Sequence, residues 1–381
     1  FYKGAHYIGT SNAKCAFVST NSICQGEHIS LLWQYILHDV EIQFAYTSFK
    51  WVNNAKNNAN VICVIVGIGA SSNQPKYIYS ENGIKQVKNI SPLLSDEKTV
   101  IVEKRSTSIS GLQPIILGSL PADDNNLSLN LDERRELVEK YPEVERLIKP
   151  FVGSQEFIKG LSRYCIWVAD EDAFFAQQIP EFQRRFQGVK NMRLESSKQT
   201  TVEKAKRPWA FSEIRYNSAP SIIIQAVSSG RRKYIPTGFV EGNTVIYHSA
   251  FAIYNGDIFT FGIVNSYIHV LWARTVGGKL KSDYRYSAQL VYNTFPFPSI
   301  SDTKKSEIEE AATNVLLARE NYPEKTLADL YDPEKMPEDL LAAHEKLDAI
   351  VESCYPGTPF PNDEARLECL FKLYEKMTAN K

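Results

Sequence analysis

The sequence predicts an α/β partial sheet at the front of the chain, an α+β domain in the middle and a helical region at the end. Three observations carry that reading. The apolar runs "CAFVST" and "VICVIVGI" surround an amphipathic segment before residue 70. Short runs punctuated by turns fill 209–298, and stripes at helical spacing fill 306–377. The chain accordingly divides into 1–100, 101–300 and 301–381.

Each element has its own warrant. "CAFVST" (15–20) reads as a buried strand, and after the "NSICQGE" turn Ile29, Leu32, Trp33 and Ile36 recur at helical spacing. "EIQFAY" alternates, which puts Ile42, Phe44 and Tyr46 on one face of a strand. "VICVIVGI" (61–68) is apolar throughout, as a strand covered on both faces would be. Residues 70–105, with strand-like "KYIYS" and "TVIVEKR", read as the crossing into the second domain. A polar helix is expected near 132–140 and an aromatic strand over 163–169. Further on, "SIIIQAV", "TVIYHSAFAIYN" and "DIFTFGIV" read as strands, with turns at Gly230, Gly242 and Gly256. Helices are expected over 306–321, 337–353 and 363–377, with Pro337 suited to a first turn. Leu340, His344, Leu347 and Val351 form one stripe; Leu367, Leu370, Phe371 and Tyr374 form another. His344 on an apolar face is expected to be a core histidine.

Composition narrows the classes. At 381 residues, 43% apolar and 23% charged, the chain can bury two or three cores. It contains no apolar run of about 18 residues, so no membrane span is expected. Six cysteines never come as C-x-x-C and mostly lie in apolar runs, the pattern of free thiols in a reducing cytoplasm. The histidines show no ligand spacing, so no metal is expected. The N-terminus shows no signal-peptide pattern, and the chain opens on Phe1 with no initiator Met, which suggests a piece of a longer polypeptide. A net charge of −1 hides a division: residues 181–295 hold 16 Lys and Arg against 7 Asp and Glu, whereas 301–381 hold 10 against 18. Two readings stay open for the basic segment, ordinary solvated surface or a surface for a polyanion.

Gly67 and Gly69 tempt a nucleotide-binding reading. A phosphate-cradling loop needs a helix directly after its glycines, and here "ASSNQPKYIYS" follows with Pro75, so a strand end is expected instead. There is no G-x-S-x-G, P-loop or H-E-x-x-H, and no self-contained catalytic apparatus. Phe49 and Trp51 border the polar loop "NNAKNNAN". Either they fold back on the core or they stack on a planar ligand such as an extruded base.

"CAFVSTNSICQGEHISLLWQYI" and "IQFAYTSFKWVNNAKNNANVICVIVGI" resemble the second half of the catalytic domain of MmeI-like DNA methyltransferases. "GSLPADDNNLSL", "GSQEFIKGLSRYCIWV", "FGIVNSYIHVLWARTVGGKLKSDYRYSAQLVYNTFPFP" and "TLADLYDPEKMPEDLLAAHEKLDAIV" resemble that family's target-recognition and C-terminal regions, in the same order. The resemblance implies the end of a Rossmann-like methyltransferase domain over 1–100, a target-recognition domain over 101–300 and a C-terminal helical region over 301–381. It further implies an adenine-N6 methyltransferase using S-adenosylmethionine, fused to a restriction nuclease, acting on double-stranded DNA in the cytoplasm. The family's methyl-donor loop and N-P-P-[FY] tetrapeptide are absent from this sequence, which has no Pro-Pro. The chain alone is therefore expected to be inactive and to bind no cofactor, its partner being the N-terminal remainder of the same polypeptide.

By the same resemblance Phe49 falls where the family stacks a flipped adenine, with Trp51, Thr20 and Asn21 beside it. The basic residues then acquire a purpose as DNA contacts. In the first stretch these are Arg184, Arg185, Lys190, Arg193, Ser196, Ser197 and Lys198, with Thr200, Lys204, Lys206 and Arg207 beyond. Arg231, Arg232 and Lys233 follow a glycine turn, and Arg274, Lys279, Lys281 and Arg285 close the set. Where the family often has Gly-Gly in the "LPADDNN" turn, this chain has Asp124-Asn125-Asn126, which leaves the turn's conformation open. Three rivals remain: a non-catalytic DNA-binding specificity module, a nucleotide-dependent enzyme using Gly67 and Gly69, and a structural scaffold.

Overall fold

The computed structural model describes residues 1–9, 11, 13–51, 61–96, 98–280 and 282–379. Its first unit is a mixed five-stranded sheet. The strands are β1 (Lys14–Thr20), β2 (Glu41–Lys50), β3 (Ile62–Gly69), β4 (Lys76–Ser80) and β5 (Gly83–Val87), in the order β1-β3-β2-β4-β5. β3 runs antiparallel to both neighbours and β4 parallel to β2. As its apolar run implies, β3 is almost wholly buried at the centre. β1 is not the buried strand expected. It lies at the sheet edge, exposed at every second residue. β4 and β5 also belong to this sheet, whereas "TVIVEKR" has no regular structure.

Ile42, Ala45, Val64, Val66 and Ile68 pack with Trp33 and Ile36 beneath a helical layer. That layer holds the Tyr2–Gly9 helix and a helical stretch with one π-turn, Ile29–Trp33. Trp33 is anchored there by donating from Nε1 to the Ile23 carbonyl at 2.7 Å. The expectation that Ile42 and Phe44 share a face is corrected by a bulge at Gln43. Ile42 pairs with Ile68 and Phe44 with the adjacent Gly67, so Phe44 crosses to the other face. There it joins Tyr46, Tyr77 and Tyr79 in a run of ring contacts. Phe44 lies flat over Gly67, where an added Cβ would stand 2.1 Å from the ring. Gly67 and Gly69 are thus strand residues, and the second is paired to both Lys14 and Glu41.

The middle region holds two cores. Leu127, Leu147, Phe151, Ile166, Phe182, Phe186 and Phe211 form one, around a sheet that includes Ile148–Val152 and Tyr164–Ile166. The helix Pro180–Leu194 packs on it. The other surrounds the sheet of Ser221–Gln225, Thr237–Val240, Ala250–Tyr254 and Ile116–Leu117. "DIFTFGIV" is not a strand but the helix Ile258–Asn265, whose N-cap Asp257 accepts from the Thr260 amide at 2.8 Å. The helix Tyr267–Val276 follows at once.

The C-terminal helices Asp302–Glu320, Glu338–Glu352 and Asp363–Thr378 match the predicted stripes. Their Ile308, Leu340, Leu347 and Leu370 pack in one cluster with Ile222, Ile253, Trp272 and Phe295 of the middle region. His344 is fully buried, as expected: Nε2 meets the Tyr331 hydroxyl at 2.7 Å and the ring stacks on Tyr234 at 4.1 Å. Burial holds it well below the usual histidine range. All six cysteines are free thiols, and no helix among the described residues is long and apolar enough to cross a membrane.

Candidate nucleic-acid interface

β1 and β2 end, and β3 begins, at one rim of the first sheet. Thr20 and Phe49 both pair with Cys63 there, one from each side. The Trp51 amide donates to the Val61 carbonyl at 2.9 Å, which extends the pairing one step further. Residues 52–60, which include the whole of "NNAKNNAN", lie outside the described residues. Phe49 is half-buried, edge-on to Tyr46 at 5.4 Å and 6.4 Å from the Trp51 ring. Trp51 keeps 42% of its surface exposed. Neither ring folds into the core beneath the sheet; both belong to the side that carries Phe44, Tyr46 and Tyr79. The Thr20 hydroxyl meets that of Ser22 at 2.7 Å, and Asn21 opens the single 3-10 turn Asn21–Cys24.

A cleft of about 260 Å³ opens where this unit meets the rest of the chain. Asn21, Cys24, Gln25, Thr47 and Ser48 line it from the first sheet, Leu94 and Ser95 from the connection, and Arg274, Thr275 and Lys279 from the middle region. Burial pushes the Cys24 thiol up to about 12, so it stays protonated at neutral pH and is no nucleophile. Arg274 and Lys279 both stand over the Tyr284 ring, at 5.2 and 5.5 Å from its centroid. The fold therefore brings predicted residues from two distant segments, Asn21 and the pair Arg274 and Lys279, onto one cleft. Thr20, Phe49 and Trp51 are on the adjoining rim and do not line it.

The remaining cations divide sharply. Arg193 is removed from the DNA-contact set. It is 1% exposed, and its five N–H groups donate to the carbonyls of Pro121, Ala122, Lys204, Arg207 and Ala210 at 2.7–3.0 Å. Arg185 is likewise structural, donating to the Asn126 and Ser128 carbonyls at 3.1 Å and pairing with Glu133 at 2.7 Å. These ties settle the "LPADDNN" turn. Ala122, Asp124 and Asn125 take positive φ, a region that Asp and Asn tolerate better than most residues. The Asp123 carboxylate accepts from the Leu127 amide at 2.6 Å. Arg207 pairs with Asp170, and Lys204 donates to Ser212.

Arg184, Lys190, Ser197, Lys198, Thr200 and Lys206 face solvent. Ser196 is half-buried, with its hydroxyl turned to the Lys198 amide. Arg231 and Lys233 meet the acidic C-terminal region, at Glu334 (2.6 Å) and Glu345 (3.1 Å). Arg232 is half-buried and Arg285 exposed. Lys281 lies outside the described residues.

The sequence reading missed Thr47, Ser48 and Gln25, for which no periodic or motif signal exists. Tyr284 was findable, because "KLKSDYRY" interleaves aromatics with cations in the manner of nucleic-acid surfaces.

Comparison with known proteins supplies the family. The models described as MmeI DNA-methyltransferase domain, target recognition domain and C-terminal domain match residues 1–80, 96–299 and 300–380. DNA methyltransferase A of Bacillus subtilis (strain 168) is 44% identical over 380 residues, which are 99% of this chain and 43% of that protein. The solved Type IIL restriction-modification enzyme MmeI in complex with DNA superimposes with a TM-score of 0.95 at 40% identity. That match covers 99% of this chain and 51% of the other. The chain thus spans about half the length of the relatives it matches, and it belongs to the MmeI family.

Proposed function

We propose that this chain is the target-recognition part of a site-specific adenine-N6 DNA methyltransferase within a fused restriction–modification enzyme, working with an N-terminal remainder of the same polypeptide. The observation that carries the reading is the cleft where Asn21, at the end of β1, faces Arg274 and Lys279. Cations opposite a sheet rim suit a duplex held by its phosphates while one nucleotide is presented to the rim. Phe49, half-buried beside Tyr46 and Trp51, offers a pre-set ring face for the extruded adenine.

S-adenosylmethionine supplies the methyl group in such enzymes, but the residues here do not fit it. Gly67 and Gly69 are strand residues, the first of them sealed by Phe44, and the sequence contains no N-P-P-[FY]. The chain by itself is expected to transfer no methyl group. DNA binding is the step it can perform.

The test is fluorescence anisotropy of a labelled duplex across a salt series. The logarithm of affinity should fall linearly with the logarithm of salt, by about 0.9 for each phosphate neutralised. Binding that ignores salt would refute the reading. For the pocket, 2-aminopurine at the target position of the complete enzyme should be brighter with Phe49→Ala than with wild type, because the flipped base loses its stacking partner. Equal brightness would remove Phe49 from that role.

A further inference from the structure

We infer that Asp348, on the C-terminal helix Glu338–Glu352, is a positioning residue for DNA binding, acting on the basic turn 231–233 and on the helix that carries Arg274. Its carboxylate joins two elements that are distant in sequence. Oδ2 accepts from the Tyr234 hydroxyl and Oδ1 from the Tyr267 amide, both at 2.6 Å. Tyr267 opens the helix Tyr267–Val276, and its N-cap Ser266 makes no capping bond because its hydroxyl donates to the Ile263 carbonyl. Asp348 therefore does from another helix what an N-cap side chain does locally, and it places a carboxylate at the positive end of the helix.

The other end of that helix closes a ring. Arg274 donates to the carbonyls of Arg232 and Lys233, the residues immediately before Tyr234. The path runs from Asp348 through Tyr234 to the turn, through Arg274 to the helix, and back through Tyr267. Tyr234 is further fixed by stacking on His344, one helical turn before Asp348. Lys233 pairs with Glu345 on the same helix. Lys279, which directly follows the glycine pair after the helix end Val276, inherits its placement over the cleft from this ring. The acidic C-terminal segment is thus the mount that fixes the recognition cations in relation to one another, beyond neutralising part of their charge.

This rests on the DNA-binding reading above, and the test separates the two. The full chain is measured by anisotropy against a 30-base-pair duplex across a salt series, as wild type, Asp348→Asn and Tyr234→Phe. Tyr234→Phe keeps the ring on His344 and removes only the hydroxyl, so it covers the case in which Asp348→Asn fails to fold. Each variant should bind about tenfold more weakly and with a shallower salt slope, at a far-ultraviolet spectrum equal to wild type. In an Arg232→Ala, Lys279→Ala background, Tyr234→Phe should cost little further affinity, because the contacts it positions are already gone; a merely structural role would cost the same in both backgrounds. Wild-type affinity and slope in both Asp348→Asn and Tyr234→Phe, or equal losses in the two backgrounds, overturn the inference while leaving DNA binding intact. A wild-type chain without salt-dependent binding overturns both.

Discussion

Eight Lys and Arg lie in 184–207 and seven in 231–285, and the fold employs the two sets in different ways. In the first, the most deeply placed arginines hold the chain together. Arg193 saturates five carbonyls and Arg185 two more, while Arg207, exposed at the surface, pairs with Asp170. What remains for solvent is a loose set on one helix and the segment after it. In the second, cations are held by neighbours yet gathered at a cleft, with Arg274 and Lys279 on Tyr284 and Arg231 and Lys233 on acidic residues of the C-terminal region. A positive count along a sequence is therefore a poor measure of a polyanion surface. Guanidinium groups satisfy buried carbonyls as readily as phosphates.

Arg193→Ala is the strongest way to break the contrast. It would leave five carbonyls short of donors and remove a fully buried side chain, with an expected loss of about 3–5 kcal/mol in urea unfolding. Lys190→Ala on the same helix should change stability by less than about 0.5 kcal/mol. Equal effects would erase the distinction between structural and solvent-facing cations.

Acid provides the next test, because His269 sits on the helix that carries Arg274. Its ring is fully buried, and burial pushes its pKa down to about 3, against about 6.5 in an unfolded chain. Below that value the unfolded chain binds a proton that the folded chain refuses. The stability from this group is present above about pH 6.5 and is lost as pH falls towards 3. His344 acts in the same direction. Asp348 opposes them: pushed up to about 6 by burial, it gives stability that is present below about pH 4 and is lost as pH rises through 6. His269→Gln should therefore narrow the difference in unfolding free energy between pH 7 and pH 4 by about 3 kcal/mol. Hydrogen exchange should show acid loosening the 258–297 core ahead of the 127–211 core.

A smaller effect ranks the two segments as DNA contacts. Lys279→Ala with Arg285→Ala should lower duplex affinity about tenfold and flatten the salt slope by about 1–2. Arg184→Ala with Lys190→Ala should cost less than half of that slope change. The reverse order would move the interface to the Pro180–Leu194 helix. Smallest of all, Gly67→Ala forces the half-buried Phe44 ring aside and should cost about 1 kcal/mol.

Much of the fold was legible where pattern and packing agree. β3 announced itself by an unbroken apolar run, and the three long C-terminal helices by stripes at three and four residues. "DIFTFGIV" was misread because an apolar residue at nearly every position carries no period. The available signal was Asp257 three residues before Thr260, a cap and not a strand edge. The bulge at Gln43 was invisible, since alternation continues in the letters while the backbone skips a step. At the cleft, Asn21 was named through resemblance and Arg274 and Lys279 through charge, whereas Phe49 stands on the adjoining rim. Arg193 was not, because its partners are main-chain atoms and any residue type can supply those.

The five-carbonyl grip of Arg193 bears on how segments of this protein can be exchanged with those of its kin. Acceptors at 121–122 and 204–210 flank the guanidinium on both sides in sequence. A crossover between them would take the guanidinium from one parent and part of its carbonyl cage from the other, so the cage would survive only where the two backbones superpose. Chimaeras joined before Ser119 or after Ala210 inherit the whole assembly from one parent, and those are the seams that leave this scaffold intact.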